Sequence, residues 1–376
     1  MGGAAAPVAA GERDVTVPMA GRATRRREPA GRAIDVCYEL GWTDGLPVIP
    51  PEASAVEGML AGRDPLEVVG VVPPLGGVAT MEKLAANAVM AGCLPEHFAI
   101  VVAAVRAVCA PEFNLAGLQA TTHVAAPLVI VSGPVVERVG LNPGYGTFGP
   151  GNRGNASIGR ALGLVLWNLG GARPGLTDMS TFGQPGKYVF CMAERQEINP
   201  WPPHHVRRGF APGDSVVTVM GCEAPKSIVA TNLDVAILKT AAEMMSTLGS
   251  SNVHLMGEML LVLGNQHART LAAAGWTPES IQRHLFATAR RRVAEFREVR
   301  TYSEEVWRQN WPGFVTMEDS STVPVVERPE DIRIVVAGGD AGRFSLCAGG
   351  WGAGGRSVAV AVEGEGSGGH GGHGDG

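Results

Sequence analysis

The sequence is short of charge, short of aromatic residues and free of long apolar runs. Only 18% of its 376 residues are charged and 6% are aromatic. The formal net charge of −5, from 31 basic and 36 acidic residues, gives no sign of a general affinity for nucleic acid or an anionic membrane. The most apolar stretch, near Ala99–Ala110, is broken by Arg106, so no span of membrane length is present. The six cysteines (Cys37, Cys93, Cys109, Cys191, Cys222 and Cys347) form no CxxC pair and keep no regular spacing. That argues against a disulfide framework and for reduced thiols in a cytoplasmic setting. No GxSxG elbow, GxxxxGK[ST] loop or HExxH spacing occurs either, which removes the standard serine hydrolase, P-loop and zincin readings.

Glycine is abundant instead, at 52 residues, with 26 prolines and an apolar fraction of 45%. Such a chain buries an ample core and turns tightly between its elements. Residues 1–30 mix Ala, Gly, Pro and Arg without periodicity and read as a disordered leader. Residues 352–376 end in GGHGGHGDG and read as a disordered Gly/His tail. Between them, residues 31–351 alternate helix and strand patterns. Thr80 to Ala91, Pro95 to Cys109, Asn155 to Leu169, Ala236 to Met245 and Glu279 to Arg292 carry helical periodicity. Pro127–Gly133, Tyr188–Ala193, Ser215–Gly221 and Ile332–Ala337 read as strands. The expected class is α/β, with a mixed or parallel sheet covered by helices.

The chain also repeats itself, across about 95–175 and 232–295. LVIVSGPVVERV from Leu128 aligns with LLVLGNQHARTL from Leu260, and SIGRAL from Ser157 with SIQRHL from Ser280. Gly133 to Ser157 is 24 positions and Gly264 to Ser280 is 16, so the first copy carries a longer loop. Connecting loops carry function more often than scaffolds do, which points to the loop of the first copy. There Asn152, Arg153, Asn155, Ser157 and Arg160 meet a helix start, a pattern suited to an anionic small molecule.

Other candidates lie nearby in sequence. Cys93, between Gly92 and Pro95, sits where a helix N-terminus can lower a thiol pKa. Cys191 precedes Glu194 in one strand, and His123 follows the polar cluster Gln119, Thr121 and Thr122. Asp44 lies in the proline-rich clasp GWTDGLPVIPP. His204 and His205, in a loop stiffened by Pro202 and Pro203, could contribute to a metal site together with Glu194.

Three segments, GWTDGLPVIPP from Gly41, NAVMAGCLPEHF from Asn87 and NASIGRALGLVLWNLGGARPG from Asn155, resemble a bacterial family associated with UGSC-type (seleno)proteins. The likeness spans roughly Gly41 to Gly352, while the UGSC motif itself is absent. The resemblance implies the larger companion module of a small redox partner protein. It also implies thiol-linked redox or reductive-cleavage chemistry on a small substrate, with Cys93, His123, Asn155, Arg160 and Cys191 as site residues. Two alternatives stand beside it: a redox-neutral lyase or hydrolase, metal-dependent or not, and a non-catalytic partner subunit. The residues name no cofactor. Duplicated α/β chains of this size often form homodimers.

Overall fold

The computed structural model describes residues 12–16, 25–29, 32–300, 303–310 and 312–363. Two antiparallel pairs open the described chain: β1 (Glu12–Thr16) with β2 (Arg25–Pro29), and β3 (Val68–Val72) with β4 (Gly77–Thr80). The body contains β5 (Ala126–Ser132), β6 (Cys191–Ala193), β7 (Val216–Cys222), β8 (Lys226–Val229) and β9 (Met259–Leu263). The small antiparallel pair β10 (Arg290–Arg292) and β11 (Thr322–Pro324) follows, and then β12 (Ile332–Val336), β13 (Phe344–Gly349) and β14 (Val358–Ala361).

These strands build two four-stranded mixed sheets, ordered β14-β7-β5-β6 and β12-β9-β13-β8. Successive residues of a strand point to opposite faces, and the burial pattern shows what each face meets. Leu128, Ile130, Met192 and Met220 of the first sheet share one apolar cluster with Leu260, Val262, Val335 and Ala348 of the second. The sheets therefore stack face to face. Val129, Val131 and Val217 point the other way, into the helices Met81–Ala91, Phe98–Cys109 and Arg153–Asn168. Leu261, Ile334 and Cys347 do the same toward Asp234–Met245, Asn265–Ala273 and Pro278–Thr288. The layers run helix, sheet, sheet, helix, and the inner strands β5, β7 and β9, covered on both faces, are apolar at almost every position.

Both sheets follow the same plan. β5 is parallel to β6 and antiparallel to β7, which is antiparallel to β14. β9 is parallel to β12 and antiparallel to β13, which is antiparallel to β8. The strands ending before Gly133 and Gly264 thus hold the same place in the two sheets, each preceded by an apolar helix. After β7 the chain crosses into the second sheet as β8, and after β13 it crosses into the first as β14. At the crossing, Glu223 N–H donates to Gly349 O and Trp351 N–H to Gly221 O, both at 2.8 Å. Cys222 and Gly350 form an isolated bridge between these two bonds.

Several boundaries differ from the sequence reading. The segment 352–376 is not wholly a free tail: Val358–Ala361 closes one edge of the first sheet and Val362 is buried. Alternating Val and Ala make this short stretch strand-competent, and β7 offers it an open edge; residues 364–376 lie outside the described residues. Of the expected leader 1–30, residues 1–11, 17–24 and 30 also lie outside the described residues, while the rest forms the β1–β2 pair. The helix expected to reach Arg292 stops at Thr288, because Arg290–Arg292 pairs with Thr322–Pro324. The strand expected from Tyr188 begins only at Cys191, after a 3₁₀ turn over Pro185–Lys187. No single helix among the described residues is long and apolar enough to cross a membrane.

Candidate functional site

The first-copy helix, Arg153–Asn168, shapes a large cleft. Gly159 and Gly163 leave its outer face bare, so the segment 185–190 lies directly against it. A Cβ on Gly159 would stand 2.9 Å from Phe190 N, and one on Gly163 would stand 3.3 Å from Lys187 O. Beyond this contact the chain from Ala172 to Tyr188 arches away and encloses a cleft of about 580 Å³. Leu162, Leu166 and Trp167 of the helix form one wall, and Leu118, Ala125 and Ala126 another. The cleft lies at the amino ends of the parallel strands β5 and β6, not at their carboxyl ends.

Its polar groups are few and organised. Lys187 Nζ lies 2.6 Å from Asp178 Oδ2, with the side chains 24% and 13% exposed. Ser180 N–H donates to Asp178 Oδ1 at 3.0 Å and fixes the carboxylate. Gln119 lines the wall, and its amide N–H donates to Pro73 O. Gln184 Nε2 donates to Cys222 O at 3.0 Å, tying the arch to the end of β7.

Asp44 reaches the same cleft by a different route. In the clasp, Trp42 is buried among Cys37, Val48, Met90 and Leu164. The clasp is bound to the helix by Trp167 Nε1 donating to Gly41 O at 2.9 Å and by Asn168 Nδ2 donating to Trp42 O at 3.0 Å. Asp44 then accepts a two-pronged contact from Arg160, at 3.0 Å from Nε and 2.8 Å from Nη2. Arg160 also donates to Leu46 O. Its guanidinium is therefore occupied by the protein, and it is a structural clamp, not an anion site.

The inserted loop is likewise closed on itself. Asn155 donates to Asn142 O and Thr147 O and accepts from Asn142 N–H. Asn152 caps the helix through Asn155 N–H and donates to Gly140 O. Arg153 is exposed and donates to Gly92 O. None of Asn152, Arg153, Asn155 or Ser157 lines the cleft. The expected anion loop is instead a self-bonded turn, because its amides and asparagines satisfy one another.

The structure brings Cys93, Cys191 and Ser157 together, but inside the core. Burial pushes the Cys93 thiol up to about 12, against weaker opposing effects from the Ser157 hydroxyl and Arg153. Burial also pushes Cys191 up to about 12, with Cys93 adding to the rise. Cys109 and Cys347 go up to about 11 and Cys222 well above its usual range, all mainly through burial. A buried thiol in apolar surroundings is inert, so Cys93 and Cys191 are not nucleophiles here. A raised folded-state pKa contributes stability that is complete below the unfolded thiol value and is lost as pH rises through the folded one. Denaturant midpoints are therefore expected to hold between pH 7 and 8 and to fall steadily above about pH 9, where the unfolded thiols ionise. A midpoint unchanged up to pH 11 would contradict the buried thiols.

The remaining candidates serve the scaffold. His123 Nε2 lies 3.1 Å from Glu223 Oε1, and Ser250 donates to Glu223 Oε2 at 2.9 Å. His123 thus braces the crossing between the sheets and does not line the cleft. Glu194 is 1% exposed and accepts His204 N–H on both oxygens, at 2.8 and 3.0 Å. Its carboxyl is raised by burial, opposed by bonds from Ser132, His204 and Asn199 and by Arg207. His204 is pushed well down by burial and by Arg207, Arg208 and Arg333, an environment that repels a cation. His205 is lowered by burial and lies beside the backbone at Pro212 and Ala211. Among the described residues, no group of three or more His, Cys, Asp and Glu could hold a metal ion. The metal expectation for His204 and His205 is corrected on these grounds.

No family model matches the chain, and no curated protein does. The resemblance expected from the Gly41, Asn87 and Asn155 segments therefore assigns no residue a role. What the sequence reading missed is Asp178, Phe182 and Lys187, whose segment ARPGLTDMSTFGQPGK looks like an ordinary surface loop. The one available signal was the polar cluster before β5, where Gln119 lines the cleft and His123 does not.

Proposed function

We propose that the protein is an enzyme for a small molecule held in the cleft between the helix Arg153–Asn168 and the arch 172–188, with Lys187 and Asp178 as its proton-transfer pair. One observation carries this reading: the cleft has an apolar wall, and its ammonium–carboxylate pair is held in place by Ser180. A concave, mostly apolar pocket with a few fixed polar groups is the usual form of a small-molecule site. In it, Lys187 gives a proton from Nζ to an acceptor atom of the substrate and becomes a neutral amine beside the Asp178 carboxylate. Asp178 orients Nζ through the 2.6 Å contact. The reading sides with the redox-neutral alternative, which the burial of Cys93 and Cys191 in the core supports. Unbridged cysteines fit a reducing, cytoplasmic setting.

The test is turnover of a pooled metabolite mixture, followed by mass spectrometry, for wild type and Lys187→Met. One component is expected to be consumed by wild type and at least about a hundredfold more slowly by the variant, the scale of a lost proton-transfer group. Equal consumption by both proteins, or none by wild type, would remove Lys187 from the chemistry.

A further inference from the structure

The charged groups of the cleft are paired within the protein, while its rings stay uncovered. Asp44 engages both carboxylate oxygens with Arg160, and Asp178 is paired with Lys187. An entering anion would face two carboxylates, and the nearby cations Lys187, Arg160 and Arg173 are each already bonded to the protein. At the rim, Phe182 is 91% exposed and Tyr188 47% exposed, and both line the cleft. Trp167 stands as a fixed wall, with Arg173 over its ring at 4.0 Å and its indole N–H on Gly41 O. A phenyl ring left almost wholly in water beside an apolar cavity is uncovered surface that a seated ligand would shield.

Resting on the reading of the cleft as the active site, we infer from this juxtaposition of paired charges and uncovered rings that its ligand is an uncharged aromatic molecule. Phe182 and Tyr188 hold it by ring contact, and charge attraction plays no part. A cavity of about 580 Å³ accepts a ligand of two fused rings with substituents. This differs from the anionic metabolite expected from the Arg153 and Arg160 motif, because those guanidiniums bond to the protein itself.

The experiment uses the full chain and three probes of one shape: 2-acetylnaphthalene, 2-naphthoate and 2-naphthyltrimethylammonium. Calorimetric titration measures affinity, and hydrogen exchange over residues 172–188 locates binding. The neutral probe is expected to bind with slowed exchange in that segment, and both charged probes at least about tenfold more weakly. Phe182→Ser, a change at a side chain in water that leaves folding intact, should weaken the neutral probe by about five- to tenfold. Tighter or equal binding of either charged probe, with the same exchange protection, would overturn the ligand class and leave the cleft as the site. An unchanged affinity in Phe182→Ser would overturn the role of the rings. If no probe slows exchange in 172–188, the cleft reading and the ligand class fall together.

Discussion

Gly133→Ala is expected to cost about 4 kcal/mol of stability, a large part of what a protein of this kind has. Two effects add at this position. The backbone holds φ at +98°, a conformation that a Cβ strains by about 1–3 kcal/mol. The new Cβ would also lie 2.2 Å from Asp214 O and 2.7 Å from Ser215 Cα, so the start of β7 must shift, at about 1–3 kcal/mol more. Gly264 is the comparison that separates the two effects, since it ends the equivalent strand of the second sheet. A Cβ there would meet Phe344 O at 2.2 Å, but φ is an ordinary −69°. Gly264→Ala should therefore cost about 2 kcal/mol, from the contact alone. Urea midpoints of the two variants, compared at equal slope, check the ranking. A cost below 1 kcal/mol at Gly133, or equal costs at both sites, would contradict the argument.

The Asp44–Arg160 clamp should show the opposite kind of effect, in which a double change is milder than a single one. Both side chains are largely buried, at 12% and 14% exposed, and meet through two bonds. Arg160→Met leaves the Asp44 carboxylate sheltered from water without its cationic partner, and about 3 kcal/mol of destabilisation is expected. Asp44→Leu combined with Arg160→Met removes both charges and fills the space with apolar atoms, so the double variant should recover at least half of that loss. The measurement is a double-mutant cycle in chemical denaturation. If the double variant were as unstable as the sum of the single changes, the clamp would be two independent contributions and not a pair.

Much of the fold was readable in the residues, and the site was not. Runs such as LVIVS before Gly133 and LLVL before Gly264 announce buried strands because alternate residues must be apolar on both faces. The helix expected over Asn155–Leu169 was marked by apolar residues at helical spacing, and it runs from Arg153 to Asn168. The small edge strand Val358–Ala361 escaped notice because its partner, β7, lies more than 130 positions earlier. The candidate site failed for a related reason. Cys93, Arg160, Asn155 and His123 have the residue types that chemistry uses, but each finds its partner inside the protein. Burial turns the thiol into core, Asp44 neutralises the arginine, local backbone occupies the asparagine, and Glu223 takes the histidine.

The amino-acid sequence by itself determined the α/β class, the helices and strands of the interior, and the alignment of the segments that end at Gly133 and Gly264. These follow from local periodicity and from glycines needed within one turn. Only the tertiary structure decided that the two sheets stack face to face and exchange their last strands, and that Lys187, Asp178 and Phe182 border one cavity. The clamp beside that cavity joins Asp44 to Arg160, 116 residues apart in the chain. No local pattern encodes which of these partners a side chain will meet.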